Sequence, residues 1–399
     1  MILIMATTNF DFETRIDRRD TSSIKWDWDR KLTGRDNLLP FWVADMDFRS
    51  AEPVMKALRA RLDHGIFGYT ARPESLDEAM VGWFSRRHGW NIDRKSILEA
   101  PGIVPFIHMA VRELTESGES VVIQEPVYYP FRQALERNHR RVAANPLDVD
   151  SSGRWSMNPA QLELELDGSG AKLLILCSPH NPVGRVWRRD ELLTLADICR
   201  VRGVTVISDE IHADLVYQPH RFIPWLSLPK DRLPPSVALV SATKTFNLPG
   251  LTTAYAVVDN PELHCRIAGM LEASGMGMGS SSPLSYTAAE AAWTKGAPWL
   301  DALLGHLSRN DVMLREFLSQ RLPELTAAPL EGTYLEWLNI GALGMNLDDA
   351  WERLLDAGIW LSKGSQFGAG GEHSLRMNIA APAAQLKEGL EKMSAALTS

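Results

Sequence analysis

The sequence predicts an α/β fold, in which helices cover both faces of a mostly parallel sheet, joined to a smaller α+β domain. Between about residues 50 and 290, short runs of β-branched residues and leucine alternate with amphipathic stretches. These runs lack a strict alternation of apolar and polar residues, which is expected for strands buried on both faces. Beyond about residue 286, long helical stretches surround a single strand, a pattern that is typical of a second, smaller domain.

Five apolar runs are predicted to be strands of the sheet, and helical patterns such as 189–202 separate them. The runs cover residues 121–123, 173–176, 204–207, 237–240 and 254–258. Farther on, we expect a long helical stretch from about 286 to 318, a strand within 332–338, and helices over 347–357 and 382–397. The chain is therefore divided into an N-terminal segment 1–48, which packs on the small domain or on a partner subunit, a large domain 49–285 and a small C-terminal domain 286–399.

The composition narrows the class of protein. The chain has 399 residues, of which 45% are hydrophobic and 23% charged, and its formal net charge is −8. Acidic and basic residues are interspersed, which gives no reason to expect binding to nucleic acid or to a membrane surface. The apolar residues 1–5 are too short for a secretion signal, and no apolar run reaches the roughly 20 residues that span a bilayer. The three cysteines are far apart and odd in number, so we expect neither disulfides nor a metal site. We further expect that Cys177 is buried and that the protein is a cytoplasmic enzyme.

Polar residues follow three consecutive predicted strands at the point where each strand ends. Asn181 lies in Ser178-Pro-His-Asn-Pro-Val-Gly184 after the run 173–176, Asp209 follows the run 204–207, and Lys244 follows the run 237–240. In open α/β sheets, ligands bind at the carboxyl ends of strands, where loops from different strands converge. An amide, a carboxylate and an amine at successive strand ends therefore indicate a cofactor site.

Each of these three residues also has a purely structural explanation. The segment around Asn181 has the residues of an ordinary turn, Asp209 is placed to cap a helix that begins at Glu210, and Lys244 would be unexceptional on a surface. The three explanations would have to hold together at neighbouring strand ends, which favours a shared site.

The order of these segments resembles that of the fold type I pyridoxal phosphate enzymes, the class I and II aminotransferase superfamily. The segments are Asn-Pro-x-Gly at 181–184, Asp-Glu-Ile-His at 209–212 and Ser-x-x-Lys-Thr-Phe-Asn at 241–247. Further segments resemble its cystathionine β-lyase or carbon–sulfur lyase branch: Lys25-Trp-Asp27, Phe41-Trp-Val-Ala-Asp-Met-Asp-Phe48, Gly68-Tyr69, Glu125-Pro-Val-Tyr128, Glu331-Gly-Thr-Tyr-Leu335 and Gly364-Ser-x-Phe-Gly-x-Gly-Gly371. The resemblance runs from about residue 9 to 380 and implies an aspartate aminotransferase-like fold with a seven-stranded sheet.

The resemblance implies that pyridoxal 5'-phosphate is the cofactor and that Lys244 forms a Schiff base with its aldehyde. Such an amine needs a lowered pKa to act as a nucleophile. Asp209 would pair with the protonated pyridine nitrogen, which makes the ring an electron sink, and Asn181 would donate to the phenolate oxygen of the ring. His212, three residues after Asp209, would either orient that carboxylate or serve packing alone.

The resemblance also assigns the ring, phosphate and substrate contacts. Tyr128 would stack on the ring, with adjacent Tyr129 as the alternative, and Arg376 would hold the substrate carboxylate with its forked guanidinium, next to the backbone around Ala44. The phosphate would accept hydrogen bonds from the amides of Ile103 and Val104 at a helix N-terminus, from the hydroxyls of Ser241 and Thr243, and from Tyr69 of the second subunit. A homodimer with shared active sites is therefore implied. The small-molecule substrate, an amino acid, would also lie near Tyr69 and Asn181.

Two departures from the family pattern bear on the reaction. Many aminotransferases have an arginine eight residues beyond the lysine, where this chain, in common with the lyase branch, has Thr252 instead. Ala381 stands where the branch usually has cysteine, and Ala383 stands where it usually has arginine. The missing arginine favours the lyase branch, and the two alanines leave open the exact substrate rather than the cofactor.

The resemblance implies a carbon–sulfur β-lyase that cleaves L-cystathionine or another L-cysteine S-conjugate to a thiol, pyruvate and ammonia. Lys244 would remove the Cα proton, and Lys244 or Tyr128 would protonate the leaving sulfur. An aminotransferase or a biosynthetic pyridoxal phosphate enzyme would use the same residues, and a regulatory protein that retains the fold is a further alternative. The loops around residues 10–48 and 273–285, including the glycine-rich segment 275–279, are expected to set the size of the pocket.

Overall fold

A computed structural model describes residues 10–276 and 281–398 of the chain. The apolar residues 1–5 and residues 277–279 of the glycine-rich segment, both of which carry expectations from the sequence, lie outside the described residues. No helix within the described ranges is long and apolar enough to cross a membrane.

The helices begin where the sequence supplies local signals. Asn158, Asn260 and Asn346 each precede a helix and accept the backbone N–H of its third residue, which satisfies a donor that has no partner within the helix. The described helices are α1 (Ile24–Asp27), α2 (Asp29–Thr33), α3 (Glu52–His64), α4 (Glu74–His88), α5 (Ile103–Leu114), α6 (Pro130–Arg137), α7 (Pro159–Ser169), α8 (Arg189–Val201), α9 (Pro261–Ala273), α10 (Pro283–Lys295), α11 (Ala297–Arg321), α12 (Leu347–Asp356) and α13 (Ala383–Leu397).

The strands are short and mostly buried. They are β1 (Leu39–Pro40), β2 (Ile97–Ala100), β3 (Ser120–Ile123), β4 (Arg141–Ala144), β5 (Asp148–Val149), β6 (Trp155–Ser156), β7 (Leu173–Cys177), β8 (Thr205–Asp209), β9 (Ser236–Val240), β10 (Ala254–Val257), β11 (Thr326–Ala327), β12 (Leu335–Asn339), β13 (Ile359–Trp360), β14 (Ser362–Lys363) and β15 (Ser374–Asn378).

The predicted mostly parallel sheet is confirmed. It has seven strands in the order β2-β10-β9-β8-β7-β3-β4, and β10 alone runs antiparallel to its neighbours. All residues of β3, β7, β9 and β10 are buried, which explains why these runs show no alternation of polar and apolar residues. A second, antiparallel sheet in the order β11-β12-β15-β14 lies in the C-terminal part of the chain.

The long helical stretch expected from about 286 to 318 is instead two helices, α10 and α11, separated at Gly296. Pro298 lies in the first turn of α11, where its missing N–H is tolerated but where it cannot continue the ladder of α10. A Cβ at position 296 would lie 2.3 Å from the ring of Phe246. The close approach of that ring therefore requires glycine at the break.

The N-terminal segment packs against the C-terminal part of the same chain. Strand β1 pairs with β13 in parallel, and the ring of Phe12 packs on Phe48, Trp299 and His306 with centroids 5.1, 5.6 and 5.5 Å away. Helix α10, which contains the predicted boundary at 286, packs on α3 and α4. The division at 1–48, 49–285 and 286–399 stays a prediction.

Glu331 connects the loop after β7 with the segment that leads into β12. Its carboxylate accepts hydrogen bonds from Arg185 Nε at 2.9 Å, from Arg154 Nε at 2.9 Å and from the backbone N–H of Val186 at 3.0 Å. The side chains of Glu331 and Arg185 are 3% and 1% exposed. Because both charges are desolvated, removal of Glu331 deprives the buried guanidinium of one of its two carboxylate partners and leaves only Glu191.

We expect Glu331→Ala to lower the free energy of unfolding by about 3 kcal/mol, because Arg185 loses a buried counter-charge. Urea unfolding followed by circular dichroism measures this loss. The matched control is Glu388→Ala, which removes the half-exposed partner of Arg15 and should cost less than about 1 kcal/mol. Equal losses in the two variants would contradict the importance of the buried pair.

Candidate active site

A cavity of about 320 Å³ opens at the carboxyl edge of the seven-stranded sheet. The strands β9, β8 and β7 are neighbours there, and the register pairs Cys177 with Asp209 and Asp209 with Leu239. The three loops that follow these strands therefore meet, as the sequence predicts. Most of the predicted site residues line the cavity: Ala44, Ile103, Val104, Tyr128, Asn181, Asp209, His212, Thr243 and Lys244.

Lys244 lies in the turn that follows β9, and its Nζ donates to the carbonyl of Ala44 at 2.6 Å. Burial lowers the pKa of Lys244 to about 8, helped by the positive charge of Arg376 and opposed by the charges of Asp45 and Asp209. An amine with this pKa is uncharged in a substantial fraction of molecules near neutral pH, which is the form that reacts as a nucleophile or a base.

Asp209 ends β8 and is 3% exposed. Its Oδ1 accepts the backbone N–H of Ile211 at 3.2 Å. Burial raises the pKa of Asp209 to about 7, and only the Ile211 hydrogen bond and the charge of Lys244 act in the opposite direction. No helix begins at Glu210, and the described chain forms a turn at residues 211–214 instead, so the helix-cap explanation is wrong. A carboxylate desolvated in this way is suited to a cationic ligand group.

Arg376 lies on β15 behind Asn181, outside the residues that line the cavity. Its Nη1 donates to Asn181 Oδ1 at 3.1 Å, and its Nη2 donates to the carbonyl of Trp42 at 2.7 Å and to Ser362 Oγ at 3.3 Å. Because Asn181 accepts with its oxygen, its amide nitrogen is left as a donor toward the cavity.

Arg376 has no ion pair with any carboxylate in the described part of the chain, although it is only 3% exposed. Its Nε is buried without a hydrogen-bond partner there, and burial lowers its pKa. Buried guanidinium groups are normally paired with an anion. The missing partner is therefore consistent with a carboxylate that arrives with the substrate.

Helix α5 points its N-terminus into the cavity. Ile103 and Val104 are its first two residues, and their amides have no acceptor within the helix. Gly102, with φ of 133°, precedes them, and a Cβ there would lie 3.2 Å from the methyl group of Thr252. Glycine therefore allows the chain to turn into the helix close to Thr252, and the two free amides can receive an anion.

The two predicted phosphate hydroxyls occupy different positions. Thr243 lines the cavity. Ser241 does not, because its Oγ donates to the carbonyl of Thr253 at 2.6 Å and lies 2.8 Å from Thr243 Oγ1. The structure thus places Ser241 where it holds Thr243, and direct contact between Ser241 and a phosphate stays a prediction.

The two tyrosines line different grooves. Tyr128 lines the cavity, whereas Tyr129 faces a neighbouring groove beside Trp42 and Trp360. Burial raises the pKa of Tyr128 well above its usual value, with the charges of Tyr129 and Asp209 acting in the same direction. The hydroxyl of Tyr128 therefore stays protonated over the whole neutral range.

His212 lines the cavity but does not hydrogen-bond Asp209 within the described residues; its ring instead lies edge-on to Tyr334, with centroids 6.0 Å apart. Its Nδ1 is buried without a partner among those residues. Burial and the charges of Lys244 and Arg376 lower its pKa to about 3, so the ring is neutral. The expected orientation of Asp209 by His212 has no hydrogen bond to support it.

Two further predicted residues lie at the margins of the site. Tyr69 is fully exposed in the single chain and does not line the cavity. The carbonyl of Ala44 accepts hydrogen bonds from Lys244 and, at 2.9 Å, from the hydroxyl of Tyr334. Because a carboxylate needs a donor, only the N–H of the Ala44 backbone could hold a substrate carboxylate.

Sequence reasoning missed the residues that act on the backbone of the site. Tyr334, Ser362 and Asn378 donate hydrogen bonds to carbonyls of the segment 42–45, and Pro249 lies in the cavity wall. The only sequence signal for Tyr334 is the segment 331–335, which indicates the family but assigns no role to the hydroxyl of Tyr334.

The groups present fit pyridoxal 5'-phosphate. The cavity offers an amine for an aldehyde, a desolvated carboxylate for a protonated ring nitrogen, an amide donor for a phenolate and helix amides for a phosphate. Each group lies in the part of the cavity formed by its own strand end or helix start.

Comparison with known proteins gives a consistent result. The family model of class I and II aminotransferases matches residues 37–393. Cystathionine β-lyase PatB of Bacillus subtilis is 40% identical over 97% of this chain and 100% of its own length. A PLP-bound putative aminotransferase from Clostridium difficile 630 superposes with a TM-score of 0.94 at 36% identity, over 98% of this chain and 100% of that chain. Cystalysin from Treponema denticola, which contains pyridoxal 5'-phosphate, superposes with a TM-score of 0.93 at 32% identity, over 98% and 99% of the two chains. The chain therefore belongs to the class I and II aminotransferase family, in the branch that includes cystathionine β-lyases.

Proposed function

We propose that this protein is a pyridoxal phosphate-dependent carbon–sulfur β-lyase. It would cleave L-cystathionine or another L-cysteine S-conjugate by α,β-elimination to a thiol, pyruvate and ammonia. The observation that carries the proposal is one cavity in which Lys244, Asp209 and Asn181 meet, with the unpaired guanidinium of Arg376 behind them. The similarity to PatB supports this reaction over others of the family.

The cofactor would be held by groups whose positions are described above. Lys244 would bind its aldehyde carbon, Asp209 its ring nitrogen, Asn181 its phenolate oxygen, and the amides of Ile103 and Val104 its phosphate. When bound, pyridoxal phosphate supplies a cationic ring that accepts the electron pair left at Cα.

Lys244 would act as base and then as acid. Once the substrate amine has taken its place at the aldehyde carbon, the freed amine of Lys244, with a pKa of about 8, would take the Cα proton. The ammonium formed in this way would return a proton to the leaving sulfur. A group whose pKa lies near the working pH can both accept and donate a proton, because its two protonation states are both populated. Tyr128 is the less suitable acid, because burial raises its pKa.

Arg376 would fix the orientation of the substrate. Its Nη1 and Nη2 are held by Asn181 and by the carbonyl of Trp42, so the guanidinium plane has a set direction before substrate arrives. A carboxylate bound to this preorganised group keeps the Cα–H bond in one orientation with respect to Lys244.

An aminotransferase is the second candidate. The same lysine, aspartate and arginine serve both reactions, and the relative from Clostridium difficile is named a putative aminotransferase. Thr252, which lines the cavity where many aminotransferases have arginine, favours the lyase.

We further infer that the protein is a homodimer with shared active sites, in a reducing, cytoplasmic setting. Tyr69 is fully exposed, and Ile66 and Phe67 beside it are 65% and 53% exposed. An exposed apolar patch of this kind marks a protein–protein interface, and burial of Tyr69 in the second subunit's cavity would satisfy it. The free thiols of Cys177, Cys199 and Cys265 support the reducing setting.

We expect the purified protein to release pyruvate from cystathionine or an S-alkyl cysteine without any added keto acid. Lys244→Ala should remove both this activity and the visible absorption of bound cofactor, because no other amine takes its place. The released pyruvate is measured in a coupled assay with lactate dehydrogenase. Pyruvate that appears only when a keto-acid acceptor is supplied would show that the protein is an aminotransferase.

The amine of Lys244 should react with an acylating reagent, in protein stripped of cofactor, with a midpoint near pH 8. Because burial lowers its pKa to about 8, the reactive uncharged form appears as pH rises through this value, below the value of about 10.4 of an ordinary lysine. Mass spectrometry of the peptide that contains Lys244 measures the labelled fraction. A midpoint above pH 10 would contradict the assigned environment.

Complementation between two inactive variants tests the shared site. A hybrid dimer of Lys244→Ala and Tyr69→Phe has one site that carries both defects and one site that is intact. If Tyr69 acts in the second subunit's site, hybrids purified with two affinity tags should show roughly half of the activity of the unmodified dimer. Activity no higher than the mean of the two parent variants would contradict a shared site.

A further inference from the structure

A second buried carboxylate lies close to the catalytic lysine. Asp214 is on the same loop as Asp209, five residues farther along the chain, and its side chain is 3% exposed. It accepts hydrogen bonds from Trp83 Nε1 at 3.0 Å, from Thr245 Oγ1 at 2.9 Å and from His88 Nε2 at 2.7 Å. None of the roles in the proposed reaction uses this group.

Thr245 is the residue directly after Lys244, and it is 1% exposed. Its hydroxyl donates to Asp214 Oδ2, so the turn that carries the reactive amine is tied to a carboxylate on the neighbouring loop. On the next residue, the ring of Phe246 packs edge-on against Trp83 at 5.4 Å. The first contact joins the lysine turn to the loop after β8, and the second joins it to helix α4.

The loop after β8 thus faces two ways. Asp209 faces the cavity, and Asp214 faces α4 and the lysine turn. Because one short loop carries both carboxylates, it sets the distance between the group that would bind the ring nitrogen and the amine that would bind the aldehyde. A shift of about 1 Å in such a distance can cost about 100-fold in rate.

We propose that Asp214 is a positioning residue for Lys244, which acts through the hydroxyl of Thr245 to fix the direction of the amine. The proposal rests on the role of Lys244 in the proposed function. It differs from a purely structural role for Asp214, in which the carboxylate would only join α4 to the sheet.

Asp214 stays ionised in the working range of pH. Burial would raise its pKa, but the hydrogen bond and charge of His88, with Arg87 and Thr245, hold the pKa below its usual value. The charged groups that face Lys244 are Asp45, Arg376 and Asp209. Movement of the amine with respect to these three groups would change its pKa, which provides a readout that needs no catalysis.

The test compares variants that each remove one donor to Asp214. Thr245→Val deletes the hydroxyl on the lysine turn at nearly constant volume, and Trp83→Phe deletes a donor on α4 but leaves the Thr245 contact in place. In cofactor-free protein, Thr245→Val should shift the pH midpoint for acylation of Lys244 by roughly half a pH unit or more, and Trp83→Phe should lower the melting temperature without a shift. Thr245→Ser, which keeps the hydroxyl, should restore the midpoint.

In the holoenzyme, Thr245→Val should lower kcat roughly tenfold with little change in KM, because the amine is misplaced while Arg376 still binds substrate. Asp214→Asn supplies the same measurements from the other side of the contact if Thr245→Val fails to fold. A Thr245→Val midpoint equal to that of the unmodified protein would overturn the proposal. Pyruvate release by the unmodified protein is measured separately. If the protein proves not to be a lyase, the pH midpoints for acylation of Lys244 can still be compared between the variants.

Discussion

The active site depends on three ionisable side chains that are desolvated together without neutralising one another. Lys244, Asp209 and Arg376 make no ion pair among themselves within the described residues, and each instead contacts a neutral group: the Ala44 carbonyl, the Ile211 N–H and the Asn181 amide oxygen. Buried charges are costly unless an opposite charge compensates them. For Asp209 and Arg376, the missing counter-charges would be the ring nitrogen of the cofactor and the carboxylate of the substrate in the proposed reaction. The cost of burying these two groups in the free protein would then favour the binding of these ligands.

The segment 42–46 holds this arrangement in place because each of its carbonyls accepts a side-chain hydrogen bond. The donors come from distant parts of the chain: Arg376 to residue 42, Asn378 to 43 and 45, Lys244 to 44, and Asn247 to 46. A segment without regular structure normally owes its order to such bonds. Lys244 and Asn247 both belong to the turn after β9, and Arg376 and Asn378 both belong to β15. The segment therefore joins Lys244 to Arg376, the two residues to which the proposed function assigns the proton transfers and the substrate carboxylate.

The sequence predicts those parts of the site that depend on chain order alone. Asn181, Asp209 and Lys244 follow consecutive strands, and the geometry of a parallel sheet brings strand ends together whatever the side chains are. Contacts that depend on the path of a loop could not be predicted: Ser241 turns toward Thr253, His212 packs beside Tyr334, and Tyr334 reaches Ala44. The break at Gly296 escaped prediction because it depends on the approach of Phe246 from elsewhere in the fold. Local patterns contain no information on such distant neighbours.

The buried pair of Arg185 and Glu331 has a mechanical consequence. Arg185 follows Asn181 in the loop after β7, and Glu331 precedes the strand β12 that pairs with β15, the strand of Arg376. The ion pair of Arg185 and Glu331 thus holds the two sheets together beside the hydrogen bond from Arg376 to Asn181. Any rocking of the C-terminal sheet must carry the loop of Asn181 with it, so the hinge of such a motion lies elsewhere. Arg376 and Asn181, the proposed contacts to the substrate carboxylate and to the cofactor ring, would then move together as one rigid unit. A substrate bound to both would keep its alignment while the protein moves around it.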